Sequence, residues 1–174
     1  QPMGALFGCV EHSPDGGPKV WPVPVEADNP YRPDTEQLLE LVRTRRPELL
    51  VFGKSMFLHP EPVREVADMV ANLDDPPLLM FDMAHVLGLY GAFQAPLTEG
   101  AAIVTGSTHK TFFGPQRGVV LGSQAARPLW PHVRHRACPG TTSNHHLGTL
   151  TGFLAALYEM NAYKDAYQRQ VITN

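Results

Sequence analysis

Four short apolar runs constrain the fold of this chain more than any other feature. They are "E-L-L-V-F-G" (48–53), "P-L-L-M-F-D" (77–82), "A-A-I-V-T-G-S-T" (101–108) and "R-G-V-V-L-G" (117–122). None alternates apolar with polar residues as a half-exposed strand does, so they read as strands buried on both faces. Helical patterns lie between them. Leu38, Leu39, Leu41 and Val42 give a helix over 35–46, capped by Asp34 or Thr35. Val63, Val66, Ala67 and Val70 give one over 60–73, with Pro60 and Pro62 near its start. A third covers 147–161 through Leu147, Leu150, Phe153, Leu154 and Leu157, as core or interface. Strands alternating with helices predict an α/β domain with a largely parallel sheet flanked by helices. Two prolines demote "K-V-W-P-V-P-V" (19–25) to an edge strand or extended segment, and "D-N-P-Y-R-P-D" is a turn-rich connector.

The 174 residues suffice for one domain, 1–174, with a core of its own. No apolar run approaches the ~20 residues of a membrane-spanning helix, so no membrane partner is expected. A net charge of −3 argues against nucleic acid as the main partner. Cys9 and Cys138 are the two cysteines and make no disulfide framework, which favours a reducing, cytoplasmic setting. The chain opens on Gln1-Pro2 and closes inside a helical pattern, so it reads as a fragment of a longer protein.

Polar chemistry collects at the strand ends. Ser55 follows one run, Asp82 ends the next, and Lys110 follows the third inside "S-T-H-K-T". Open α/β sheets bind ligands outside the carboxyl ends of their strands. A nucleophilic lysine must lose its proton, which desolvation and neighbouring cations promote. Its commonest use is a Schiff base to pyridoxal phosphate. That cofactor wants a carboxylate at its ring nitrogen, which Asp82 offers. His85 and Ser55 are candidates for the rest of the bed.

"F-D-M-A-H" (81–85), followed by "T-H-K-T" (108–111) and "G-P-Q-R-G" (114–118), resembles serine hydroxymethyltransferase, a fold-type I pyridoxal-phosphate enzyme. The likeness runs from about Val20 to Gly152, as part of the family's large domain. It implies Lys110 as the cofactor-bearing lysine, Asp82 at the pyridine nitrogen, and His85 beside the ring and substrate. It implies Ser55, in "G-K-S-M-F", at the cofactor phenolate, and Thr108 and His109 in placing the cofactor and its phosphate. "C-P-G-T-T-S-N" (138–144) falls where the family has a glycine-rich loop that crosses a dimer to the neighbour's phosphate, so Ser143 and Asn144 are further candidates. The implied function is aldol and retro-aldol interconversion of β-hydroxy amino acids and glycine by a homodimer, on small-molecule amino acids and aldehydes.

The departures fall around that set. Phe113 stands where the family usually has arginine, Pro-Gln-Arg-Gly replaces Pro-Arg-Gly-Gly, and Phe57 replaces tyrosine. Thr141, Ser143 and Asn144 replace most of the loop glycines. The family's stacking histidine, N-terminal phosphate loop, folate contacts and carboxylate-binding arginine are not recognisable in this chain. Cofactor-holding residues are kept while their surroundings have changed, which weighs against tetrahydrofolate as co-substrate. Such drift resembles the threonine transaldolases of natural-product pathways, the alternative function. A non-catalytic scaffold derived from the family is the other alternative. Each residue also has a plainer role: Lys110 on the surface, Asp82 as a helix cap, His85 or His109 in packing, Ser55 in a turn. A zinc site from His132, His135, Cys138, His145 and His146 is the weaker reading. Its cysteines are unpaired and Arg134 and Arg136 crowd cations into it, so no metal is expected.

Overall fold

The computed structural model describes residues 8–12, 18–142, 144 and 146–174. Its centre is a six-stranded sheet in the order β2-β1-β3-β4-β5-β6. The strands are β1 (Gly8–His12), β2 (Pro18–Pro22), β3 (Leu49–Phe52), β4 (Leu78–Asp82), β5 (Ile103–His109) and β6 (Phe113–Gly122). The helices are α1 (Thr35–Arg45), α2 (Val63–Val70), α3 (Trp130–His135) and α4 (Leu147–Thr173).

The α/β class stands, and one detail of it is corrected. The pairs β3·β4 and β4·β5 are parallel. The pairs β1·β2, β1·β3 and β5·β6 are antiparallel. The sheet is therefore mixed rather than largely parallel. Neighbouring strands joined by a short connection must run antiparallel, as β1 does with β2 and β5 with β6, and β1 then lies antiparallel between β2 and β3. Strand β6 returns directly from β5 through a hairpin, and β2 is the edge expected from its prolines.

The helices follow their local chemistry. Asp34 caps α1, its carboxylate accepting from the Gln37 N–H at 2.9 Å, while the Gln37 side-chain amide donates back to it at 2.6 Å. Arg46 ends α1 with a left-handed φ of 47°, just before Pro47. Helix α2 is shorter than its apolar pattern predicts. Pro62 stands at its cap, and the Glu61 N–H is spent on the Gln94 side chain at 3.0 Å.

One hydrophobic cluster joins Leu38 and Val42 of α1, Val63, Val66 and Val70 of α2, Leu50 and Phe52 of β3, Phe81 of β4, and Ala156 and Met160 of α4. Full burial of residues such as Phe52 and Phe81 contributes roughly 1.5–3 kcal/mol each. The opposite face corrects the expectation of equal burial. Residues Leu49, Val51, Leu78 and Met80 are only half-buried. There, among the described residues, a small cluster of Ala102, Ile103 and Ala126 packs with Leu78, Met80 and Val133. The core thus sits mainly under one face; β3 and β4 end nearly level at its rim, and β5 runs on from Thr105, opposite Asp82, to His109.

Candidate active site

Those three strand ends carry the candidate residues. The parallel register pairs Phe52 with Phe81 and Asp82 with Thr105. Ser55 therefore lies just past the end of β3, Asp82 is the last residue of β4, and Lys110 lies just past β5. Gly53 takes a φ of 130°, a backbone turn that L side chains rarely adopt, and leads into the exposed Ser55.

Asp82 is held by its own loop. Its Oδ1 accepts from the Ala84 N–H at 2.9 Å. The Met83 N–H donates to the Thr105 carbonyl at 2.7 Å, extending the ladder one residue past the strand. The carboxylate is thereby fixed at the rim with its second oxygen available to another donor.

Lys110 occupies the turn of the β5–β6 hairpin, immediately after the pair His109 and Phe113. Its Nζ lies 3.2 Å from Nε2 of His85. A neutral imidazole with its proton on Nδ1 accepts from the amine there, and the other tautomer donates to a free amine. Burial lowers the His85 pKa from its usual 6.5, the Lys110 charge lowers it further, and Asp82 opposes both. The neutral ring is the favoured form, and lysine, imidazole and carboxylate are electrostatically one group.

The two loops are stitched together by a residue that the motif contains but the sequence reading did not single out. The Thr111 hydroxyl donates to the His85 carbonyl at 2.9 Å and accepts from the Gly88 N–H at 3.2 Å. A side chain on Gly88 would place its Cβ 2.1 Å from the Thr111 carbonyl oxygen, so the loops meet backbone to backbone. The only signal in the sequence was adjacency to Lys110.

The remaining candidates fare differently. His109 is exposed beside Lys110. Thr108 is 0% exposed, and its hydroxyl donates to the carbonyls of Pro115 at 2.6 Å and Arg117 at 3.0 Å. The strand register shifts between Ser107 and His109, opposite a proline that cannot donate to the ladder, and Thr108 closes that gap. Asn144 is exposed in the segment before α4, and Ser143 lies outside the described residues. Arg117 joins that segment to the sheet by donating to the His146 carbonyl at 2.8 Å and to the Thr149 hydroxyl. Of the zinc candidates, His132 and His135 lie on α3 and Cys138 is exposed beyond it. Among the described residues no group of three or more His, Cys, Asp or Glu is placed to hold a metal ion. No described helix is long and apolar enough to cross a membrane.

The donor set suits an aldehyde cofactor with a basic ring nitrogen. It offers a primary amine in a turn, an imidazole against it, a fixed carboxylate on the next strand, and a hydroxyl at Ser55 on the strand beyond. Comparison with known proteins agrees with that chemistry. A family model described as serine hydroxymethyltransferase matches residues 22–174. A serine hydroxymethyltransferase of Archaeoglobus fulgidus is 40% identical over 143 residues, covering 81% of this chain and 32% of the relative. One from Pyrococcus horikoshii is 37% identical over 96% of this chain and 40% of its own length. The chain thus spans well under half of the curated relatives it matches. Among solved structures, an L-threonine transaldolase from Pseudomonas fluorescens in its internal aldimine state superposes with a TM-score of 0.78. That match has 34% identity and covers 87% of this chain and 34% of the other.

Proposed function

The chain belongs to the serine hydroxymethyltransferase family, and from that premise we propose that the protein carrying it binds pyridoxal 5'-phosphate at Lys110 and makes or breaks the Cα–Cβ bond of β-hydroxy amino acids. The observation that carries this reading is the Lys110–His85 contact of 3.2 Å beside the strand end that bears Asp82. When bound, pyridoxal phosphate supplies an electron sink for the negative charge that develops at Cα.

The chain's own residues have separable tasks. Lys110 would hold the cofactor through its amine, which lies against the His85 imidazole. Asp82 would hold a proton at the cofactor's ring nitrogen, and because the Ala84 N–H already fixes it, the carboxylate would need little reorganisation. His85, with its pKa lowered, is neutral near pH 7 and is suited to accept a proton from Lys110 or the substrate hydroxyl. Ser55 is assigned to the cofactor phenolate, and His109 to packing or phosphate contact. Ser143 and Asn144 are assigned to the neighbouring subunit's cofactor in a homodimer, and the protein is assigned to the cytoplasm.

Two acceptors are chemically open to this site. Serine cleavage with tetrahydrofolate is the family reaction. It is the better supported by the family model and the curated relatives; the alternative, exchange between L-threonine and a second aldehyde, draws on the likeness to a threonine transaldolase and on Phe57, Phe113 and Gln116, which depart from the family pattern. The test uses protein expressed from its complete reading frame. It is supplied with L-serine and tetrahydrofolate, or with L-threonine and an aromatic aldehyde without folate. Glycine formed only with folate supports the hydroxymethyltransferase. A new β-hydroxy amino acid formed without folate supports the transaldolase. A protein that stays colourless at saturating pyridoxal phosphate would be a scaffold and would sink the proposal.

A further inference from the structure

Lys110 and His85 sit on different loops, so their 3.2 Å approach depends on what fixes one loop against the other. Thr111 bridges them from within. Two consecutive residues near the end of α4 hold the bridge from below. The Tyr167 hydroxyl donates to the Thr111 carbonyl at 2.5 Å. The Gln168 side-chain amide donates to the carbonyls of Gly88 at 2.9 Å and Tyr90 at 3.3 Å. Tyr167 takes the hairpin-turn side of the bridge and Gln168 takes the His85 side.

Packing alone does not ask for these residue types. Gln168 is only 8% exposed and is the buried polar side chain of a helix whose other buried residues are Ala156 and Met160. A buried amide is costly unless it is bonded, and leucine would fill the space without that cost. Tyr167 stands edge-on to Phe113, ring centroids 5.0 Å apart, and that contact would survive loss of the hydroxyl. What the hydroxyl and the amide add is direction. Both are aimed at main-chain carbonyls of the two loops that carry the amine and the imidazole.

We propose that Tyr167 and Gln168 are positioning residues that hold Lys110 and His85 in register through the Thr111 bridge. The proposal rests on the reading of Lys110 as the cofactor-bearing lysine. Neither α4 residue touches the reacting atoms.

The experiment compares Tyr167→Phe with the wild-type protein, both expressed from the complete reading frame. Thr111→Val and Thr111→Ser provide a second route, cutting the bridge from the other side and restoring its hydroxyl. Three readouts are taken: kcat and KM, borohydride labelling of Lys110, and the titration of His85 by NMR in cofactor-free protein. Lys110 and Asp82 are the charged groups that act on His85. With Lys110 displaced, the His85 midpoint should rise toward the ordinary imidazole value. Tyr167→Phe should stay folded and be labelled at Lys110, while kcat falls by about tenfold to a hundredfold with KM little changed, as misplacement of a reacting group predicts. Thr111→Val should behave the same way, and Thr111→Ser should recover. Wild-type kcat and an unmoved His85 titration in both Tyr167→Phe and Thr111→Val would overturn the proposal. Labelling of a different lysine in wild type would overturn the cofactor reading instead. Because His85 is titrated without cofactor, it decides the positioning claim whichever lysine is labelled.

Discussion

Replacing Thr108 with valine separates a hairpin lock from a cofactor ligand. The side chain is 0% exposed, and its hydroxyl lies 2.6 Å from one carbonyl and 3.0 Å from another. It carries one proton, so the two contacts amount to one shared bond. Valine keeps the branched shape and removes that proton. The net loss of a hydrogen bond is about 0.5–1.5 kcal/mol, rising to about 1–3 kcal/mol where an acceptor is left buried and unsatisfied. Pro115 and Arg117 are only half-buried and their carbonyls can turn to water, so Thr108→Val should cost about 0.5–1.5 kcal/mol. Thr108→Ser keeps the bond and loses one buried methyl group, worth about 0.8 kcal/mol. Urea denaturation should therefore show a lowered midpoint for both variants, and only valine should loosen the hairpin. Hydrogen exchange in β5 and β6 should quicken in the valine variant. Cofactor affinity should fall no further than the lost stability explains. A valine variant that unfolds like wild type yet loses the cofactor would refute this reasoning and return the hydroxyl to the ligand.

Other perturbations test other joints of the structure. Glu61, its side chain 3% exposed, is ion-paired with Lys54 at 2.5 Å. Lys54→Met strands a buried carboxylate and should cost about 3–5 kcal/mol near neutral pH. Burial raises the Glu61 pKa above 4.5 and Lys54 opposes the rise, so the variant's deficit should shrink as acid protonates Glu61, seen in denaturation midpoints across pH. In wild type the Glu61 contribution has the same sign, present below pH 4.5 and lost as pH rises through the higher folded-state value. Gly88→Ala drives a Cβ into the Thr111 backbone, and overpacking costs about 1–3 kcal/mol or more. It should also weaken borohydride labelling of Lys110. His85 has a lowered pKa, so below pH 6.5 the unfolded chain takes its proton first and folding loses stability as pH falls. His85→Asn should flatten that part of the stability profile, and an unchanged slope would assign it to other groups.

The element order was legible because hydrophobic periodicity and caps are local. The parallel core β3-β4-β5 and helix α1 match the runs and the Asp34 cap. Strand direction was less legible, since the run at 117–122 reads alike in either direction. Only the turn at Lys110 makes β6 antiparallel. Strand β1 carried no pattern strong enough to be assigned. At the site, Ser55, Asp82 and Lys110 were singled out because each sits at a strand end, and strand ends can be counted along a sequence; His85 was added from the family motif. Thr108 shares the buried face of β5 with Val104 and Gly106, a placement that its nearness to Lys110 in sequence does not report. Tyr167 and Gln168 were missed because they reach the site from 56 and 80 residues away in sequence. No local signal reports such a contact. Part of the half-buried sheet face was read as fully buried, because an apolar run shows that a strand can be covered and not what covers it.

The central claim is that Lys110 carries the cofactor, and chemical trapping tests it most directly. The protein expressed from its complete reading frame is mixed with pyridoxal phosphate, reduced with borohydride, digested and mapped by mass spectrometry. The account predicts one pyridoxyl group on the peptide containing "T-H-K-T", at Lys110, and none there in Lys110→Ala. A label on another lysine, or no label at all, would contradict it.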